Sequence, residues 1–261
     1  MHNIRLIEYP NGSVQIRKYE QPIGTNSSTK WETDIEPFTQ TTVRVVNDFS
    51  TPEESQRRSL SHTRSMIHSY ARCYNWEWFC TFTYSPEKID RYDFDLCMQK
   101  IRNWLKNQRN RYAPDLKYLA IPEPHKLPNE QGQYAFHLHI LLADTGEMVF
   151  KDSGRKKRGL TIYNLSGWKY GFSSATEIKN THAVSNYIVK YITKESLLLS
   201  KHSHRYYVSR NLPQPKETLF LVTPDEETEF LQTLINSLGV ELKYSKQVTN
   251  PFVNVEYMEL Q

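Results

Sequence analysis

A chain of 261 residues, 38% hydrophobic and 13% aromatic, can build one sizeable domain plus an accessory piece, which excludes a disordered chain. Its formal net charge of +4 is too mild to identify a nucleic-acid partner, although the acidic stretch Asp225, Glu226, Glu227 and Glu229 leaves the remainder more basic than average. Cys73, Cys80 and Cys97 fit neither a disulfide framework nor a zinc ribbon. Nothing resembles a signal peptide or a run of ~18 apolar residues, so a cytoplasmic protein with reduced thiols and no membrane partner is expected.

In chain order, residues 4–20 predict a β-hairpin, because Ile4, Leu6, Val14 and Ile16 alternate with polar residues around Pro10-Asn11-Gly12. Residues 21–42 show no period, and Val43, Val45 and Val46 open a candidate strand. Thr51-Pro52-Glu53-Glu54 starts a helix, with a cap, a proline at the first position and acids in the first turn. That helix carries Arg57, Arg58, Arg64 and Arg72, which either lie on phosphate or face solvent.

The β-branched and aromatic run from Glu77 to Tyr84 predicts a strand. From 93 to 112, Phe94, Cys97, Met98, Ile101, Trp104 and Leu105 make one helical stripe. Strands are expected at 116–121 and 134–142, with a polar connection over 124–132 between them. A basic loop follows, with Lys151, Arg155, Lys156, Lys157 and Arg158 opposed only by Asp152. A strand over 170–178, a helix over 182–199 and a closing strand at 205–209 complete the order. This succession predicts an α+β fold, a central antiparallel sheet of split-βαβ type with helices packed on it. Four regions are expected: a β-rich accessory region (1–50), a basic helix leading into the core (51–75), the main domain (76–213), and a C-terminal extension with the acidic stretch (214–261).

Three constellations carry chemistry. In Phe136-His137-Leu138-His139-Ile140 a strand puts both imidazoles on one face, where they can grip one metal ion, or stand as two polar residues on a wet face. Glu123 ends the preceding strand and can approach them if the two strands pair; His125 is a rival ligand. Two imidazoles and a carboxylate suit a divalent ion, Mn²⁺ or Mg²⁺, that must also hold substrate oxygen. On a helix, Tyr187, Lys190, Tyr191 and Lys194 share one face beside an aliphatic stripe of Val184, Ile188 and Ile192. The stripe supplies the core, so the phenols are free for nucleophilic work, unless they simply pack against the sheet.

The order Thr81-Phe82-Thr83, then Pro122-Glu123-Pro124-His125, then His137-Leu138-His139, then Tyr187-Ile188-Val189-Lys190-Tyr191 resembles the three motifs of HUH endonucleases. It is most similar to the rolling-circle replication initiators of small single-stranded DNA phages and related plasmids, whose last motif also has two tyrosines four apart flanking a lysine. The resemblance spans residues 76–213. It implies that His137, His139 and Glu123 hold the ion, that Tyr187 and Tyr191 are the nucleophiles, and that Lys190 orients them or balances charge. The implied partner is single-stranded DNA at a replication origin. Arg57, Arg58, Arg64, Arg155, Lys156, Lys157, Arg158 and Lys194 are the candidates for tracking its backbone, and Trp168, Tyr170 or Phe172 could stack its bases, although packing under the sheet is the commoner fate of such rings. No GxxxxGK[ST] loop is present, so a host helicase and polymerase would be borrowed. One departure is the connection from Glu123 to His137, longer than the short turn usual in that family. A relaxase or transposase of the same chemistry, or a non-catalytic DNA-binding regulator, are the alternatives.

Overall fold

The structure, a computed structural model, describes residues 1–24, 51–192, 204–250 and 253–261. The candidate strand at 43–46, the end of the 182–199 helix and Lys194 lie outside the described residues. In chain order the first elements are β1 (His2–Glu8), β2 (Val14–Ile23), α1 (Pro52–Arg72), β3 (Trp78–Thr83), α2 (Phe94–Arg111), β4 (Lys117–Pro124), β5 (Phe136–Ala143), β6 (Phe150–Lys157) and β7 (Leu160–Leu165). They are followed by β8 (Ser173–Glu177), α3 (Thr181–Ile188), a 3₁₀ turn (Val189–Tyr191), β9 (Tyr207–Val208), β10 (Lys216–Phe220), α4 (Glu227–Leu238), β11 (Leu242–Asn250) and β12 (Val253–Leu260).

The chain forms two compact units, one of Met1–Thr51 with Pro215–Gln261 and the other of Pro52–Gln214. In the first, an antiparallel sheet runs β10-β1-β2-β12-β11. The β1–β2 hairpin turns at Gly12, whose φ of 83° suits a residue without Cβ. Ile4, Leu6, Val14, Ile16, Met258 and Leu260 pack with Phe230, Leu231, Leu234 and Leu238 of α4. The described part of the N-terminal region and the C-terminal extension, expected as separate regions, thus contribute strands to one sheet.

In the second unit the sheet order is β6-β7-β8-β3-β5-β4-β9, and every pairing is antiparallel. β3 and β4 flank β5, run in the same direction, and are joined through α2. Alternation along the strands makes two different faces. Cys80, Phe82, Leu138, Ile140 and Leu142 pack against Cys97, Met98, Ile101, Trp104 and Leu105 of α2. On the opposite face Leu119, Ile121, Leu141 and Ala143 lie with Leu60, Ile67 and Ala71 of α1 and Val184 and Ile188 of α3. The helix at 51–75 is therefore part of this core.

Two expectations need correction. The 116–121 strand continues through Pro122 and Glu123 to Pro124. Prolines are tolerated there because β9 covers β4 only at Leu119 and Ala120, and past that point the missing N–H groups face an unpaired edge. The expected basic loop at 151–158 is instead strand β6, paired with β7 through a two-residue turn. Arg158 and Gly159, at φ 51° and 78°, form that turn with left-handed backbone, and Gly154 at φ 72° marks a bulge where the register shifts.

Candidate functional site

The site starts from register. Glu123 of β4 lies opposite His137 of β5, and His137 and His139 lie opposite Thr83 and Thr81 of β3. The long connection from 125 to 135 is thereby no obstacle, since the ladder continues past it with His125 N–H donating to the Ala135 carbonyl at 2.8 Å. Glu123 Oε2 sits 2.7 Å from His137 Nε2 and 2.9 Å from His139 Nε2. Their ligand atoms lie within 4.8 Å of one another, a group that could hold a metal ion. His125 stacks edge-on to His137 at 5.2 Å but is outside that group.

Burial alone would raise the Glu123 carboxyl, but the hydrogen bonds from His137 and His139 outweigh it and bring the pKa down to about 2. Burial lowers His139 below the usual histidine value, opposed by its bond to Glu123. The carboxylate is therefore charged, and the buried imidazole favours its neutral, ligating form. His139 Nδ1 is held by Thr81 Oγ1 at 3.2 Å, which fixes the ring so that Nε2 points to the carboxylate.

Above these side chains lie the two phenols. The Asn180 side chain caps α3 by accepting from Ala183 N–H at 2.9 Å. Within the described part of the expected 182–199 helix, α3 runs to Ile188 and Tyr191 falls in the 3₁₀ turn that follows. Arg64 donates two hydrogen bonds, at 3.0 and 2.6 Å, to the Ile192 carbonyl just past that turn. The Tyr191 ring stacks on His139 with centroids 3.4 Å apart, and its hydroxyl donates to the Tyr187 oxygen at 2.9 Å. Phe79 of β3 lies against His139, Tyr187 and Tyr191. Burial, then the bond to Tyr187, pushes the Tyr191 pKa up. Tyr187 is 43% exposed, with Lys190 Nζ 5.2 Å from its ring centroid.

The structure thus brings together Glu123, His137, His139, Tyr187, Tyr191 and Lys190. The basic residues gather differently. Arg57 and Arg58 lie on exposed positions of α1, whereas Arg64 is engaged by the Ile192 carbonyl. Arg155, Lys156, Lys157 and Arg158 are exposed on a hairpin four strand positions from β5, about 19 Å across the sheet. Sequence reasoning gave no role to Thr81 or Phe79. The usable signal was parity, because both share the face of the histidines once β3 is paired with β5.

Residues 77–196 match the family model described as replication-associated protein, of the ORF2 and gene-2-protein type. That segment opens just before β3 and contains all six clustered residues, and it includes nothing of the first unit. The match supports a role in DNA replication. No curated protein and no solved structure matches the chain. Among the described residues no helix is long and apolar enough to cross a membrane.

Proposed function

We propose that this protein initiates rolling-circle replication as an HUH-type endonuclease, nicking and rejoining single-stranded origin DNA through a tyrosine nucleophile. One observation carries the reading: the convergence of Glu123, His137 and His139 directly beneath the hydrogen-bonded pair Tyr187 and Tyr191. The path of β3 and β4 on either side of β5, connected by α2, supports a split-βαβ core of that class.

The donor set fits Mn²⁺ or Mg²⁺. The Glu123 oxygen stands 2.7 and 2.9 Å from the two imidazole nitrogens, the spacing of neighbouring positions around an ion with bonds of about 2.1 Å. When bound, such an ion would supply Lewis-acid polarisation of a non-bridging phosphate oxygen.

The residues themselves do the remaining work. Tyr187 attacks first: its oxygen accepts a hydrogen bond from Tyr191, which favours the negative charge that develops on it, and the Lys190 ammonium lies over its ring, 5.2 Å from the centroid. Attack forms the bond from the Tyr187 oxygen to phosphorus and breaks the bond from phosphorus to the 3′ oxygen. The phenol proton leaves to solvent, and the departing oxygen takes one up, giving a free 3′-hydroxyl and a 5′-phosphotyrosine. Phosphoester bonds are conserved, so the same groups can run the step backwards. Tyr191 is the poorer nucleophile while its proton is shared with Tyr187. Esterification of Tyr187 weakens that acceptor and frees Tyr191 for the next transfer. Host helicase and polymerase would supply the unwinding and synthesis.

The test is incubation with single-stranded origin DNA and Mn²⁺, followed by a denaturing gel. A protein–DNA adduct that survives boiling in detergent and is lost with Tyr187→Phe is expected. Free migration of all the protein would instead favour a DNA-binding regulator, and loss with Tyr191→Phe alone would reverse the order of the tyrosines.

A further inference from the structure

Among the described residues the most exposed aromatic is on neither the histidine strand nor the tyrosine helix. Phe172 is 81% exposed although it precedes β8, a strand in the middle of the sheet. An exposed ring in a mobile loop would mean little, but this one is held. Phe172 N–H donates to Thr83 Oγ1 at 2.9 Å, Thr83 N–H donates to the Phe172 carbonyl at 2.9 Å, and Thr83 Oγ1 donates to the same carbonyl at 3.1 Å. The Trp168 indole, itself packed in the core, donates to the Thr83 carbonyl at 3.1 Å. Gly171 allows this approach, since a Cβ there would stand 2.1 Å from the Thr83 carbonyl oxygen.

Register sets which way the ring faces. Ser173 lies opposite Phe82 and Ala175 opposite Cys80, both of the α2 face. Phe172 precedes the first ladder pair and meets Thr83 through the hydrogen bonds above; continuing the alternation by one residue puts it on the other face, where Thr83 lies opposite His137. Two strand spacings, about 10 Å, separate the Phe172 backbone from that of His137. A solvent-facing ring on an anchored backbone, two strand spacings from the histidine strand, has the spacing and chemistry of a stacking platform for a nucleobase.

We propose that Phe172 stacks on a base of the single strand and so seats the adjoining phosphate over Glu123, His137 and His139; this rests on the replication-initiator reading above. Because every base has a π-face, the platform orders the strand without selecting a base. The contact is also insensitive to salt, unlike those of the lysines and arginines.

The experiment measures equilibrium binding of the full chain, in chelator so that no cleavage occurs, to oligodeoxythymidylate and to an equally long oligomer of abasic sugar-phosphate. The unaltered protein should prefer the thymidylate. Phe172→Ala and Phe172→Leu should weaken thymidylate binding by roughly 5- to 100-fold, leave abasic binding unchanged and unfold at the same temperature, and Phe172→Trp should retain the preference. Leucine keeps the apolar bulk and removes only the π-face, so undiminished thymidylate binding by Phe172→Leu would overturn the proposal. So would equal affinity of the unaltered protein for both oligomers, or equal losses on both for Phe172→Ala. If the unaltered protein bound neither oligomer, the replication-initiator reading would fall as well, a result distinct from the others.

Discussion

The two faces of β5 are built from one run of eight residues and have opposite fates. Phe136, Leu138, Ile140 and Leu142 are all buried on the α2 side, so that face is core from end to end. On the other side Leu141 and Ala143 are buried beneath α1 and α3. His139 is buried under Tyr191 and Phe79 at the limit of that cover, and His137 lies half-buried past it, both imidazoles beside Glu123. One strand therefore supplies both stability and chemistry, and the rigidity of the first face fixes the geometry of the second. The difference teaches that apolar cover ends where function begins, so substitutions of opposite parity should separate cleanly into loss of activity and loss of fold.

The sharpest break of that comparison is His137→Ala. On the proposed reading, metal-dependent adduct formation should fall by at least roughly a hundredfold, since even partners outside a ligand shell cost 10- to 100-fold when removed. Its half-buried side chain should leave thermal unfolding nearly unchanged. Adduct yield and melting curves on the same preparation check both parts. One residue along, Leu138→Ala should do the reverse, costing about 2–5 kcal/mol in urea unfolding while each folded molecule keeps its activity. If Leu138→Ala abolished activity at full fold occupancy, the separation of the faces would be wrong.

Thr81→Val tests the layer between. Thr81 touches no substrate in this reading; it holds His139 through Nδ1. Metal affinity, followed by Mn²⁺ titration calorimetry, should drop roughly 10-fold, towards the lower end of the range for such partners. Retained affinity would mean that stacking between Tyr191 and His139 orients the ring on its own.

How much of this was legible in the sequence depends on how local each signal was. The alternation in Phe136-His137-Leu138-His139-Ile140 declared both faces of β5, and the Val184, Ile188, Ile192 stripe declared the buried side of the tyrosine segment. Glu123 was harder, because the two flanking prolines read as the end of a strand. Only the short reach of β9 makes them harmless. The basic hairpin reads as a loop because charges crowd an exposed edge strand, where they also discourage edge-to-edge pairing. The pairing of β1 with β10 and of β2 with β12 joins segments more than 200 residues apart, and no local period announces such partners. Phe172 reads as one of three base-stacking candidates with Trp168 and Tyr170, and nothing local tells them apart; Trp168 packs in the core, while Phe172 is exposed beside the close approach of Gly171 to Thr83.

Alkaline pH compares how tightly the two faces are closed. Burial pushes the Cys97 thiol up to about 12, with Asp93 and Asp90 adding to it, and burial pushes Cys73 up to about 12 against the opposing Arg72. Cys80 is raised by burial as well. The unfolded chain loses these protons above its ordinary value of about 9, while the folded chain keeps them. Their stabilisation is therefore complete below pH 9 and declines as pH rises towards 12. Iodoacetamide at pH 9 should label all three thiols slowly in the native protein and fast in urea. Cys73, which follows α1 on the half-covered face, should be labelled before Cys80 and Cys97 of the α2 side. Simultaneous labelling would show that the second face opens only with global unfolding.

The smallest expected effect concerns the basic hairpin, where stability and binding ask for different residues. Arg158 occupies a left-handed position at φ 51°, which asparagine or glycine adopts more readily. Turn chemistry alone would not choose arginine there. Arg158→Asn should therefore stabilise the fold slightly, by less than about 1 kcal/mol, measured by urea unfolding. If the hairpin tracks the DNA backbone, the same change removes one phosphate contact, and the slope of log affinity against log salt should become shallower by about 0.7. A stabilised variant with an unchanged slope would assign the five cations of this hairpin to protection of the sheet edge alone. A shallower slope would mean that the chain tolerates strain in a turn about 19 Å from the histidines in order to hold a positive charge against the strand.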